Sequence, residues 1–127
     1  MGTAIFVTEE LQKFTSRMAI TVTRRIVQNL HSRTPKKSGL AASNWIPSLG
    51  DESGVFGSKS EVSYAAQNAG LAEIAGYRIS RTLPPVIRND TAYIELLNEG
   101  WSKQAPAGFI QEAIFDAIAA TANARGF

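Results

Sequence analysis

The chain contains no cysteine. That absence excludes a disulfide framework, a thiolate zinc site and a cysteine nucleophile. Histidine is almost as scarce, with His31 alone in 127 residues. A serine hydrolase would have to be built around that one imidazole, and His31 is expected on the surface beside a basic helix face. No apolar run approaches the roughly 20 residues that a membrane helix needs. The N-terminus has no basic stretch leading into an apolar segment, so no signal peptide is expected. The expectation is a soluble protein made in a reducing cytoplasm. There is no Walker loop, no dinucleotide fingerprint and no HExxH. Two carboxylate pairs are spaced i,i+4, Glu95 with Glu99 and Glu112 with Asp116. Dimetal carboxylate bundles add Glu-x-x-His motifs, which this chain lacks, so these pairs are expected to be solvated neighbours. The reading is a protein that is not an enzyme and uses no metal or cofactor.

What is present is an ordinary globular composition, 44% apolar and 19% charged, at a length suited to one domain over residues 1–127. The net charge of +2 conceals an asymmetry. Residues 1–60 hold eight Lys and Arg against four Asp and Glu, and residues 61–127 hold five against seven. A positive half and a negative half can attract copies of the chain to one another, or turn one face toward a polyanion.

A long amphipathic helix is expected over residues 8–32, with Thr8 as its N-cap and Glu9 and Glu10 in the first turn. At 100° per residue Leu11, Phe14, Met18, Val22 and Ile26 share one side, the expected core face. Lys13, Arg17 and Arg24 gather on roughly the other side. Ile20 and Val27 lie beside that basic stripe, so another part of the fold or a partner must cover them. Thr34-Pro35 ends the helix. A helical turn capped by Ser38 follows over 39–44. A strand at 45–49 and a loop at 50–54 lead to a return strand at 55–57. An Ala-rich helix at 64–75 stops at Gly76. A strand at 77–81, a break at Pro84-Pro85 and a short strand at 86–88 come next. Asn89-Asp90 is a turn pair before a short helix at 92–98. The last helix is expected over 106–123, with Pro106 in its first turn and a stripe of Ile110, Ile114, Ala117, Ile118 and Thr121. The fold class is α+β: a small, mostly antiparallel sheet against long N-terminal and C-terminal helices.

Lys13, Arg17, Arg24, Arg25, Arg33, Lys36 and Lys37 place seven cations within 25 residues. Such density suits non-specific phosphate contact that weakens with salt. No DNA-reading motif accompanies it, and aromatic residues are not interleaved for base stacking. A small nucleic-acid-binding protein using Arg17, Arg24, Arg25, Lys36 and Lys37 is therefore the alternative reading.

Two ordered segments carry more information. The first is Thr34-Pro35-Lys36-Lys37-Ser38-Gly39-Leu40, followed by Ser43-Asn44-Trp45. The second is Ile87-Arg88-Asn89-Asp90, Tyr93-Ile94, then Leu97-Asn98-Glu99-Gly100-Trp101-Ser102-Lys103-Gln104-Ala105-Pro106-Ala107-Gly108-Phe109. A loop that holds a Trp, a Lys, a Gln, a Pro and two Gly in fixed order is more often functional than connective. Both segments resemble hallmarks of the tail-completion, or neck, proteins of tailed bacteriophages, with Ser38 where that family more often has Thr and Lys37 where an acidic residue is common.

The resemblance implies a structural virion protein at the head–tail junction of a tailed phage or prophage, made in the bacterial host cytoplasm. Such proteins form a ring, generally of six subunits, that completes the tail end and joins it to the head connector. The implied partners are other copies of the chain, the neighbouring head-connector and tail-tube or tail-terminator proteins, and passing genomic DNA through non-specific contact, with no membrane. On this view Trp101, Ser102, Lys103, Gln104, Pro106 and Phe109 form a subunit or partner interface. Trp101 and Phe109 are aromatic anchors in the core or between subunits, and Gly100 and Gly108 provide tight backbone geometry. Trp45 and Tyr93 are expected in the core.

Overall fold

The computed structural model describes residues 2–36, 39–50 and 62–124, with side chains from Thr8 onward. In chain order the elements are α1 (Gly2–Arg33), α2 (Leu40–Ser43), β1 (Ile46–Leu49), α3 (Ala65–Ile74), β2 (Pro85–Arg88), α4 (Ile94–Asn98) and α5 (Phe109–Asn123). The class is α+β, with a two-stranded antiparallel sheet and long helices at both ends.

At 32 residues, α1 is about 48 Å long. It starts before Thr8, which is therefore an interior helical residue and not the N-cap. Its C-terminus falls where Pro35 requires, with the Thr34 N–H donating to the Leu30 carbonyl at 3.0 Å. The expected core face is corrected. Leu11 is 60% exposed, Phe14 44% and Met18 36%, and Val22 and Ile26 are only partly covered. The buried positions are Ser16, Thr23, Val27 and Leu30. At 100° per residue these positions lie roughly 130° round the helix from the apolar stripe, so burial centres on a different face from the one that periodicity marks. Small hydroxyl residues tolerate burial here because each is satisfied. Thr23 Oγ1 donates to the Ala19 carbonyl at 2.7 Å, and Ser16 Oγ accepts the Ile79 N–H at 3.0 Å. Val27, 1% exposed, is covered from within the chain.

The C-terminal half of α1 is held on two sides. α5 begins beside residues 32–36 and reaches Arg25 at its far end, so the two helices run antiparallel. Arg25 Nη1 donates to Thr121 Oγ1 at 3.0 Å, Asn29 Nδ2 to the Ala113 carbonyl at 3.1 Å, and Arg33 pairs with Asp116 at 2.7 Å. On the other side stands α3. His31 stacks on Tyr64 with centroids 4.9 Å apart and lies 3.1 Å from Gln67 Oε1. His31 is therefore partly buried between helices and not a surface residue.

β1 pairs antiparallel with β2 in the register Ile46↔Arg88, Pro47↔Ile87, Ser48↔Val86 and Leu49↔Pro85. Prolines are tolerated because each strand has only one sheet neighbour. The outward Leu49 N–H is taken by Glu73 of α3 at 2.8 Å. α3 lies so close to β1 that a Cβ on Gly70 would sit 2.1 Å from the Pro47 carbonyl oxygen. Only glycine permits that approach.

The expected return strand at 55–57 lies outside the described residues, as do Lys37 and Ser38. The expected strand at 77–81 is instead a series of turns, with Arg81 and Thr82 N–H both donating to the Arg78 carbonyl at 3.0 Å. Thr82 Oγ1 accepts the Arg78 N–H in return, so the segment satisfies itself locally. The last helix begins at Phe109, three residues after Pro106, because Gly108 takes a left-handed conformation (φ 80°) at its N-cap. Its buried stripe is Phe109, Ala113, Ala117 and Thr121; Ile110 and Ile114 are partly covered and Ile118 is exposed. The core joins Leu30, Ala41, Trp45, Ile94, Ala105, Phe109 and Ala113.

Candidate functional site

The two ordered segments of the sequence, some sixty residues apart, meet in space. Trp45 is buried and its Nε1 donates to Thr34 Oγ1 at 2.7 Å, closing the first segment on itself. Trp45 then shares the core with Ala105 and Phe109 from the second. Gln104 Oε1 accepts the Lys36 backbone N–H at 2.8 Å, joining the chain just beyond α1 to the loop before α5. Asn89 also bridges the two segments, donating from Nδ2 to the Ala41 carbonyl at 2.9 Å. Its Oδ1 accepts the Thr91 N–H at 3.0 Å, which makes Asn89-Asp90 the expected turn. Between residues 32–36 and residues 104–112 lies a cleft of about 370 Å³, bordered by Arg33, Lys36, Gln104, Pro106 and Glu112.

The loop over 99–108 is clamped at its base by one residue. The Asn98 carbonyl accepts the Gly108 N–H at 2.8 Å, and its Oδ1 accepts the Ile110 N–H at 3.0 Å. Its Nδ2 donates to Gln111 Oε1 at 3.0 Å. The first turn of a helix exposes N–H groups with no partner inside the helix. Asn98 supplies one from twelve residues upstream, acting as a cap that is not adjacent in sequence. At the other end of the loop Gly100 has φ 95°, and its N–H and that of Trp101 donate back to Leu97 and Leu96. The second ordered segment contains Asn98, but residue order alone assigns it no role. The available signal was an Asn two residues before a Gly, upstream of a helix that opens on Gly108 and not on a polar N-cap.

This clamp determines which side chains of the loop face water. Trp101 is 72% exposed, so it is not part of the core of the chain. The loop turns at Gly100, and that turn carries the indole away from the core. Phe109 is 1% exposed and belongs to the core, which removes it from the expected interface. It opens α5, whose first turn packs against Leu30. Tyr93, 37% exposed, is also not a core residue. Leu96 of α4 and Trp101 in the turn that follows are exposed as well. Lys103 and Pro106 are exposed. Ser102 is half-buried and its Oγ accepts the Gln104 N–H at 3.1 Å, a local turn that orients Gln104 toward Lys36.

The described basic residues are engaged in different ways. Arg17 and Arg24 are exposed on the same side of α1. Arg25 is held on Thr121, and Lys36 Nζ donates to the Ser32 carbonyl at 2.9 Å. Arg33 is engaged with Asp116 at 2.7 Å. Among the described residues no group of three or more His, Asp or Glu side chains converges as a metal site. No described helix is long and apolar enough to cross a membrane. No protein-family model, curated protein or solved structure matches the chain.

Proposed function

We propose that this chain is a structural virion protein of the head–tail junction of a tailed phage or prophage, which completes the tail end and joins it to the head connector as a ring of subunits, with six expected. It acts through complementary surfaces and carries out no catalysis. The observation that carries this reading is the convergence of the two segments that resemble the neck family. They share one core through Trp45, Ala105 and Phe109, and one backbone contact through Gln104 and Lys36. A chain that spends two glycine turns and an Asn clamp to hold a Trp in water has built a rigid projecting surface. An exposed aromatic on a preformed loop is the kind of anchor that carries interface energy. Lys103 and Pro106 extend that surface, and the cleft beside Gln104 offers a complementary recess.

The alternative, a nucleic-acid-binding protein, rests on Arg17 and Arg24. They are exposed on one face with Lys13, a stripe that suits a few phosphates and no base reading. The two readings separate by variant. Lys103→Ala is expected to leave the thermal melt unchanged and to reduce the yield of joined particles when it replaces the native gene. Arg17→Glu with Arg24→Glu is expected to leave joining intact. The opposite pattern, normal particles from Lys103→Ala and lost DNA retention from the double arginine variant, transfers the function to the helix.

A further inference from the structure

The apolar stripe of α1 continues past the end of α5. Thr121, near the last turn of α5, already lies beside Arg25, and every residue over 8–14 is exposed. Leu11, Phe14 and Met18 are spaced three and four residues apart, so they form a narrow seam of the kind that pairs two helices. Glu10 and Arg17 directly precede Leu11 and Met18 and flank the seam on the same edge. Thr8 and Thr15 flank the other edge and carry no charge.

We infer that this stretch of α1 is a self-complementary surface that pairs antiparallel with α1 of a second copy of the chain. The charges select both orientation and register. In the antiparallel register that sets Leu11 against Phe14 of the other copy, Glu10 of each chain lies beside Arg17 of the other, giving two identical ion pairs about a two-fold axis. Sliding one heptad either way sets Arg17 against Arg17 or Glu10 against Glu10. In a parallel pair Glu10 and Arg17 meet Thr15 and Val22, with no charge matched. The bond Glu10 already makes to Lys13, at 3.4 Å and largely exposed, is a weak surface contact and leaves Glu10 able to turn to the second copy. The pairing also continues an arrangement present within each subunit, since α5 lies antiparallel on the same apolar side of α1 further along. This contact is separate from the Trp101 loop and does not depend on the proposed virion role.

The test is sedimentation equilibrium of the full chain at low salt, with melts to confirm folding. The native chain is expected to dimerise. Glu10→Arg or Arg17→Glu alone converts both ion pairs to repulsion and is expected to weaken dimerisation about tenfold. Combining the two reverses the pairs and restores it. Because the chain has no cysteine, orientation is read with a short bis-maleimide linker. A Glu10→Cys chain mixed with an Arg17→Cys chain is expected to cross-link, and neither alone. A native chain that stays monomeric at about 100 µM overturns the proposal. So does a double variant no tighter than the singles, or cross-linking as strong in the separate chains as in the mixture. Trp101→Ala is expected to leave the dimer intact.

Discussion

The sharpest consequence of the fold is a contrast between two aromatic residues eight positions apart in one loop segment. Trp101 is 72% exposed and Phe109 is 1% exposed. A buried Trp covers about 200 Å². Roughly a quarter of the Trp101 surface is covered, so about 50 Å² is at stake, worth about 1 kcal/mol at 25 cal/mol per Å² and less against a compact unfolded chain. Phe109→Ala removes a whole core ring from the contact of α1, Trp45 and α5, and such truncations cost about 3–5 kcal/mol. For a chain of this size each kcal/mol moves the melting temperature by about 3–6 °C. Trp101→Ala is therefore expected to lower the melt by at most about 6 °C, and Phe109→Ala by more than about 10 °C. Circular dichroism melts measure both, and complementation of a deletion reads assembly. Trp101→Ala is expected to fold and fail in joining. Equal loss of stability in both variants, or a Trp101→Ala chain that joins heads to tails normally, refutes the reasoning.

Three further outcomes follow from single contacts. Asn98→Ala strands the Ile110 N–H and unclamps the loop, so a loss of about 1–3 kcal/mol and faster proteolytic cleavage within residues 99–108 are expected; unchanged cleavage would show that the clamp is dispensable. Gly70→Ala forces α3 away from the Pro47 carbonyl and is expected to cost about 1–3 kcal/mol in denaturant unfolding, where a neutral result would deny the close approach. Thr34→Val leaves the buried Trp45 Nε1 without its acceptor and is expected to cost about 1–3 kcal/mol by thermal melt, with no effect expected if that bond is inessential.

Local chemistry made much of the architecture legible. Pro35 marked the end of α1 and Gly76 the end of α3, and the strand expected at 86–88 after the Pro84-Pro85 break begins at Pro85 and pairs with residues 46–49. That pairing itself was not legible, because nothing near Ile46 encodes a partner forty residues away. The face of α1 was misread for a related reason. The wheel shows an apolar stripe, but burial centres on a face roughly 130° round the helix, so Leu11 is exposed while Thr23 is buried. In the site, residue order identified the loop at 99–108 as specified, yet aromatic identity did not separate Trp101 from Phe109. Gly100 and Asn98 decide that difference through bonds to Leu97, Gly108, Ile110 and Gln111, and the Asn98 bonds span ten to thirteen residues. His31 was placed at the surface from its own helix alone, and Tyr64 and Gln67 arrive from α3.

We propose that this chain joins heads to tails. Electron microscopy of lysates from the parent phage or prophage with this gene deleted tests it most directly. Filled heads beside separate, unattached tails are expected, with joined particles restored by the native gene and not by Trp101→Ala. Normal infectious particles from the deletion would contradict it.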